Sequence, residues 1–174
     1  WNHRWEYDKN PNDFFNTLFK INNKKIDFSI VILGEKGKEY PKIFDKAKEK
    51  LKDKILHFGY CKSEKEYRDW LLISDILPVT SIQDFFGVSI IEAVSSCVYP
   101  ILPNRLAYPE ILSIDKNKKL FYNSKQELKN KIEYVIINID LIRQDSLQLS
   151  KFVINRYSWG KMAPAYDKRF NLIK

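Results

Sequence analysis

The sequence predicts an α/β fold: a Rossmann-like, doubly wound, mainly parallel sheet with helices on both faces. Two observations predict it. Short apolar runs without strict alternation recur along the chain, the pattern of strands buried on both faces. Between them lie stretches with 3.6-residue apolar spacing, several opened by capping residues. Strands that alternate with helices of this length build parallel sheets. Such sheets bind ligands beyond the carboxyl ends of their strands.

The elements follow in order. Asn12 is the expected cap of a first helix. Residues 28–33 form a continuous apolar run that stops at Gly34. Pro41 opens a helical stretch with Ile43, Phe44, Ala47 and Leu51 on one face. Residues 55–58 read as a short strand. Ser63 and Glu66 have capping-box spacing, followed by Tyr67, Trp70 and Leu71 at helical intervals. Residues 75–79 form the next strand, 87–96 a helix, 98–102 a strand and 119–122 another strand. Ser124 and Glu127 make a second capping box before Leu128, Ile132, Val135 and Ile139. Helical patterns continue over 149–156 and from Ser158 to the end, where Pro164 should kink or delay the helix. No repeat, low-complexity segment or linker interrupts the pattern, so residues 1–174 read as one domain.

Composition narrows the class. The 174 residues suffice for a sizeable core, and 44% hydrophobic with 14% aromatic residues excludes a disordered chain. No run reaches about 18 apolar residues, so no membrane span is expected. The chain opens on Trp1, not Met, so the lack of a visible targeting segment carries no weight. Cys61 and Cys97 lie in unrelated contexts, which fits a reducing, cytoplasmic setting. No metal-ligand spacing is evident, and His3 and His57 are too few and too scattered for a metal site. His57 reads as a core histidine. No cofactor or metal is expected. The net charge of +8 and pI of 9.3 suit a phosphate-bearing partner: nucleotide, nucleic acid or membrane surface. Most lysines, as in Lys46-Ala47-Lys48-Glu49-Lys50, read as solvated helix faces.

The chemistry concentrates in Asp84-Phe85-Phe86-Gly87-Val88-Ser89-Ile90-Ile91-Glu92-Ala93. Asp84 falls in a loop after a strand. Glu92 falls about two turns into the following helix. The two carboxylates and the amides of Phe86, Gly87 and Val88 would line one rim. Carboxylates accept from sugar hydroxyls, and a helix N-terminus attracts phosphate. The same pair also fits an acidic cap and a solvated helix glutamate. Gly34, Ser81 and Asn104 each follow a strand and should share that edge with Asp84. Arg4 and Lys9, ahead of a helix start, fit a diphosphate clamp, and equally two surface cations.

Taken together, these residues resemble the C-terminal domain of retaining glycosyltransferases with two Rossmann-like domains (GT-B), the group-1 or family-4 type. Asp84 and Glu92, followed by Ala93, match the E-x7-E motif of that family. Arg4 and Lys9 match its Arg and Lys, five residues apart. Val31-Ile32-Leu33-Gly34 matches its strand ending in glycine, and Tyr157-Ser158-Trp159-Gly160-Lys161 its terminal tryptophan helix. Closer resemblance is to the glycosyltransferase-like domain-containing family, which includes tRNA-queuosine alpha-mannosyltransferases. It is carried by Trp1-Asn2-His3-Arg4-Trp5-Glu6, Ile32-Leu33-Gly34-Glu35, Leu56-His57-Phe58-Gly59-Tyr60, Phe85-Phe86-Gly87-Val88, Tyr99-Pro100 and Pro103-Asn104-Arg105-Leu106-Ala107-Tyr108-Pro109-Glu110.

The resemblance implies GDP-mannose as donor and queuosine-bearing tRNA as an acceptor. It implies that Arg4 and Lys9 hold the donor diphosphate, that Asp84 binds sugar hydroxyls, and that Glu92 binds the ribose. The amides near Phe86, Gly87 and Val88 would meet phosphate or sugar. Glu110 would brace the loop below the donor, or serve as a helix-start acid. The acceptor site would lie on an N-terminal domain, with Trp1 entering at the end of the first strand of this one. Without that domain the chain would be inactive. The chain departs from the motif in two places. Asp84 is one methylene shorter than the usual glutamate. Cys97 stands where glycine usually ends the helix in a left-handed turn. Two other readings remain open on the residues: a nucleotide-sugar epimerase-like enzyme, and a non-catalytic module that binds tRNA or another polyanion.

Overall fold

The structure, a computed structural model, describes residues 1–37 and 40–172. Strands and helices alternate as their spacing predicts. In order they are α1 (Pro11–Asn22), β1 (Ile30–Leu33), α2 (Ile43–Lys50), β2 (Ile55–Gly59), α3 (Glu64–Leu72), β3 (Ile76–Pro78), α4 (Val88–Ser95) and β4 (Tyr99–Pro103). Then come α5 (Tyr108–Ile111), α6 (Ile114–Asn117), β5 (Phe121–Tyr122), α7 (Lys125–Ile137), α8 (Ile139–Tyr157) and α9 (Trp159–Asn171). Among the described residues, all strand pairs are parallel. They form two ladders, β1–β2 and β3–β4–β5. Trp1 lies on the free edge of β1: its nitrogen donates to the Val31 carbonyl at 3.0 Å, and its own carbonyl accepts from Leu33 N at 2.7 Å. Among the described residues, no helix is long and apolar enough to cross a membrane.

Local chemistry explains the element starts. Ser63 Oγ accepts from Glu66 N at 3.1 Å, and Glu66 returns the favour to Lys62 N at 2.6 Å. Ser124 and Glu127 repeat the device at α7. Some boundaries differ from expectation. The cap of α1 is Asn10, not Asn12, because Pro11 takes the first helical position, where a missing N–H costs nothing. Asn10 Oδ1 accepts from Asp13 N at 3.3 Å. Lys118–Leu120 coil into a 3-10 turn, leaving β5 two residues long. Pro164 does not delay α9, which runs through it to Asn171. That helix buries no residue, so water can satisfy the carbonyl that Pro164 cannot bond. The last two positions of the expected helix lie outside the described residues.

The core joins both ladders to the helices through Phe15, Ile32, Phe44, Val79, Ile101 and Leu102. Trp5 stacks on Phe44 with centroids 4.4 Å apart, and Trp1 packs against Phe14 at 4.9 Å. Burial of both indoles fixes the segment between them, and so fixes Asn2, His3 and Arg4 over the carboxyl end of β1.

Candidate functional site

A cleft of about 470 Å³ opens there, lined by Asn2, His3, Arg4, Gly34, Cys61 and Tyr67 among others. Gly34 makes it possible. Its φ is +118°, and a Cβ would sit 2.4 Å from the His3 carbonyl oxygen. Asn2 ties the floor together, donating to the Ser89 carbonyl at 2.8 Å and the Tyr67 hydroxyl at 3.4 Å. His3 Nδ1 lies 3.3 Å from Ser89 Oγ. Burial, then the N-terminal ammonium and Lys9, pull His3 down to about 3, so its ring is neutral.

The two motif carboxylates have separate supports. Tyr67 donates to Glu92 Oε2 at 3.0 Å. Tyr108 donates to Asp84 Oδ2 at 2.9 Å. Burial first, and the neighbouring carboxylate second, hold both phenols above their usual range, so both remain donors. The loop carrying Asp84 is laced down from three sides. Asp8 O accepts from Ile82 N at 2.7 Å. Lys9 Nζ donates to Gln83 O at 2.9 Å. Arg105 spans the carbonyls of Ser81 and Thr80, each at 2.9 Å. Gly87 then caps α4 at φ +84°. The amides of Phe86, Gly87 and Val88 donate to no acceptor among the described residues.

The predicted site residues divide. Arg4 and Gly34 line the cleft, and Glu92 is joined to it through Tyr67. Asp84, Phe86, Gly87 and Val88 lie in the loop after β3 and at the start of α4, outside the lining of that cleft. Arg4 is exposed and pairs with Glu6 at 3.2 Å. Lys9, in contrast, is buried, with Asp8 Oδ2 at 3.1 Å and Gln83 O as partners. The two cations are therefore unlike: one lines the cleft, the other is built into the Asp84 loop. Ser81 is not on the rim. Its side chain is fully buried because it packs beneath the loop that Arg105 holds. Glu110 is exposed in the first turn of α5 and makes no side-chain hydrogen bond or ion pair among the described residues. Asn104 bonds Asn123 at 3.0 Å.

Folding also collects groups that are scattered in sequence. His57, Cys61 and Glu66 place donor atoms within 4.8 Å of one another, a metal-ligand grouping hidden by the strand end and helix start between them. One Glu66 oxygen already serves the Lys62 amide. Sequence reasoning missed Tyr67 and Tyr108 as carboxylate partners, and Arg105 as the loop anchor. Tyr67 showed only helical apolar spacing, and Tyr108 and Arg105 appeared only within a matched segment.

A parallel α/β sheet with a cleft over its carboxyl edge places the chain in the class of Rossmann-like α/β domains. Residues 2–146 match the family of group 1 glycosyl transferases, and the chain belongs to that family. It is 37% identical over 172 residues to the tRNA-queuosine alpha-mannosyltransferase of Drosophila melanogaster. The match covers 98% of this chain and 44% of that protein, so the chain spans less than half of its relative's length. Among solved structures, it is similar to a glycosyltransferase from Rickettsia africae (TM-score 0.78, 23% identity, 99% of this chain and 46% of that one). It is also similar to Anabaena HepE in complex with UDP (TM-score 0.78, 14% identity, 98% and 47%). These two likenesses concern the fold.

Proposed function

We propose that this chain is the donor-binding domain of a retaining glycosyltransferase that moves mannose from GDP-mannose to queuosine-bearing tRNA. An N-terminal domain would supply the acceptor wall, and the reaction would be cytoplasmic. Similarity to the Drosophila tRNA-queuosine alpha-mannosyltransferase supports the acceptor and the sugar. The observation that carries the donor reading is the separate seating of the carboxylates. Glu92 hangs from Tyr67, which lines the cleft, and Asp84, in the loop after β3, hangs from Tyr108.

In this reading the nucleoside occupies the cleft and Glu92 accepts from its ribose hydroxyls. The diphosphate lies across the start of α4, where free amides and the helix dipole favour anions. Arg4 supplies a guanidinium fork. Lys9 has three donors and uses two on Gln83 and Asp8, leaving one for phosphate. These groups stabilise the charge that grows on the departing diphosphate. Asp84 holds hexose hydroxyls, its reach shortened by one methylene but its position fixed by Tyr108. Titration calorimetry with GDP, UDP, ADP and GDP-mannose tests the reading. GDP and GDP-mannose should bind best, and failure of all four overturns it. The charge of +8 supports a second reading, a polyanion-binding module. Salt-sensitive RNA binding without nucleotide binding would favour that one.

A further inference from the structure

The donor reading makes no use of His57, Cys61 and Glu66. His57 stands on β2, Cys61 in the loop after it, and Glu66 in the first turn of α3. Their donor atoms lie within 4.8 Å of one another. Two of the three side chains are already aimed by bonds to main chain. His57 Nε2 lies 3.1 Å from the Gly59 carbonyl, which can only accept. Nε2 therefore carries the hydrogen, and the neutral ring keeps its lone pair at Nδ1. Trp70 packs against that ring with centroids 5.2 Å apart and holds its orientation. Glu66 Oε2 accepts from Lys62 N at 2.6 Å, which leaves Oε1, 3.9 Å from His57 Nδ1. That separation is too long for a hydrogen bond. Cys61 is buried, and its thiol makes no hydrogen bond among the described residues. No lysine or arginine pairs with Glu66 among the described residues.

We propose that His57 Nδ1, Cys61 Sγ and Glu66 Oε1 bind a divalent transition-metal ion of the zinc class, with a fourth position left to water. Imidazole, thiolate and carboxylate together favour zinc over magnesium and calcium, which take oxygen ligands. Zinc bonds of about 2.0–2.3 Å at tetrahedral angles set donors about 3.4–3.6 Å apart. The Nδ1–Oε1 pair, at 3.9 Å, must therefore close by only about half an ångström. Metal-binding histidines give their other N–H to a carbonyl or carboxylate, and ligating carboxylates are themselves hydrogen-bonded. Gly59 O and Lys62 N already fill those two places. Binding breaks the Cys61 S–H bond, forms the metal–sulfur bond and releases the proton to water. The ion ties the end of β2 to the start of α3. Tyr67 follows Glu66 on α3 and donates to Glu92, and Cys61 and Tyr67 both line the cleft. The ion is thus a brace for the cleft wall from which Glu92 hangs, a role that holds whatever the cleft binds.

Cobalt(II) is the first probe, because a thiolate ligand gives it a sulfur-to-metal charge-transfer band that nitrogen and oxygen ligands do not. Equimolar cobalt added to the chain should produce that band, and zinc should bleach it. Cys61→Ser should abolish the band. Cys97→Ser, which removes the other, exposed thiol, should leave it. Calorimetry with zinc should show one site per chain, weakened by about tenfold or more in His57→Phe and in Glu66→Gln. Phenylalanine keeps a ring against Trp70, and glutamine still accepts from Lys62 N, so both variants keep their local packing. Zinc should raise the thermal midpoint of the chain, and magnesium and calcium should not. No band in the unaltered chain, or a band that survives Cys61→Ser, overturns the proposal. So does a zinc affinity unchanged in all three ligand variants.

Discussion

The Tyr67 hydroxyl and Glu92 Oε2 lie 3.0 Å apart, joining α3 to α4 beside the cleft that Tyr67 lines. Glu92 itself is exposed, so this bond sets where its carboxylate points. Glu92→Gln should weaken GDP and GDP-mannose alike, by about tenfold, the value of one charge-assisted hydrogen bond. Tyr67→Phe should weaken both by a smaller factor, since the acid remains but is no longer aimed. Calorimetry with both ligands checks this. Unchanged binding in Glu92→Gln would return the residue to a solvated helix acid.

Asp84 should behave differently, because Tyr108 and not Tyr67 holds it. Asp84→Asn and Tyr108→Phe are expected to spare GDP and to weaken GDP-mannose. Equal loss of both ligands would mean that Asp84 shapes the loop and does not meet the hexose.

Arg4 and Lys9 should separate on stability. Arg4→Ala removes an exposed group and should weaken GDP by about tenfold or more at unchanged thermal midpoint. Lys9→Ala removes the bond to Gln83 and the pairing with Asp8, so the midpoint should fall along with affinity. Unchanged affinity in both variants counts against a phosphate role.

Backbone conformation gives two predictions of opposite sign. Cys97 holds a left-handed φ of 64° at the end of α4, where Cys97 N and Val98 N bond back to Val94 O and Ala93 O. The cysteine therefore takes the left-handed turn that glycine usually takes, with strain. Cys97→Gly should stabilise by about 1 kcal/mol, a rise of roughly 2–4 °C in midpoint. Gly34→Ala should destabilise by about 2 kcal/mol or more, because its Cβ would meet the His3 carbonyl at 2.4 Å. Thermal denaturation reads both.

His3 makes stability fall in acid. It stays neutral in the folded protein down to about 3 but takes up a proton near 6.5 when unfolded. Between those values the unfolded state binds the extra proton, so stability falls as pH drops through that window. The contribution approaches about 1.4 kcal/mol per pH unit at its steepest. His3→Asn, which keeps an acceptor for Ser89, should flatten the slope of stability against pH between 6.5 and 3. An unchanged slope would rule out a buried neutral imidazole.

Local spacing was enough for the order of strands and helices, the capping boxes at Ser63 and Ser124, and the placement of Asp84 in a loop and Glu92 on a helix. Each depends on residues within a few positions of one another, where backbone sterics and the 3.6-residue period decide. Packing decided the rest. Tyr67 reaches Glu92 across 25 positions, Tyr108 reaches Asp84 across 24, and Lys9 reaches Gln83 across 74. That Lys9 is buried while Arg4 stays exposed follows from where the Asp84 loop falls against Asp8 and Lys9. Neither partner choice nor burial leaves a periodic trace in the chain, because both arise only when segments remote in sequence compete for the same space.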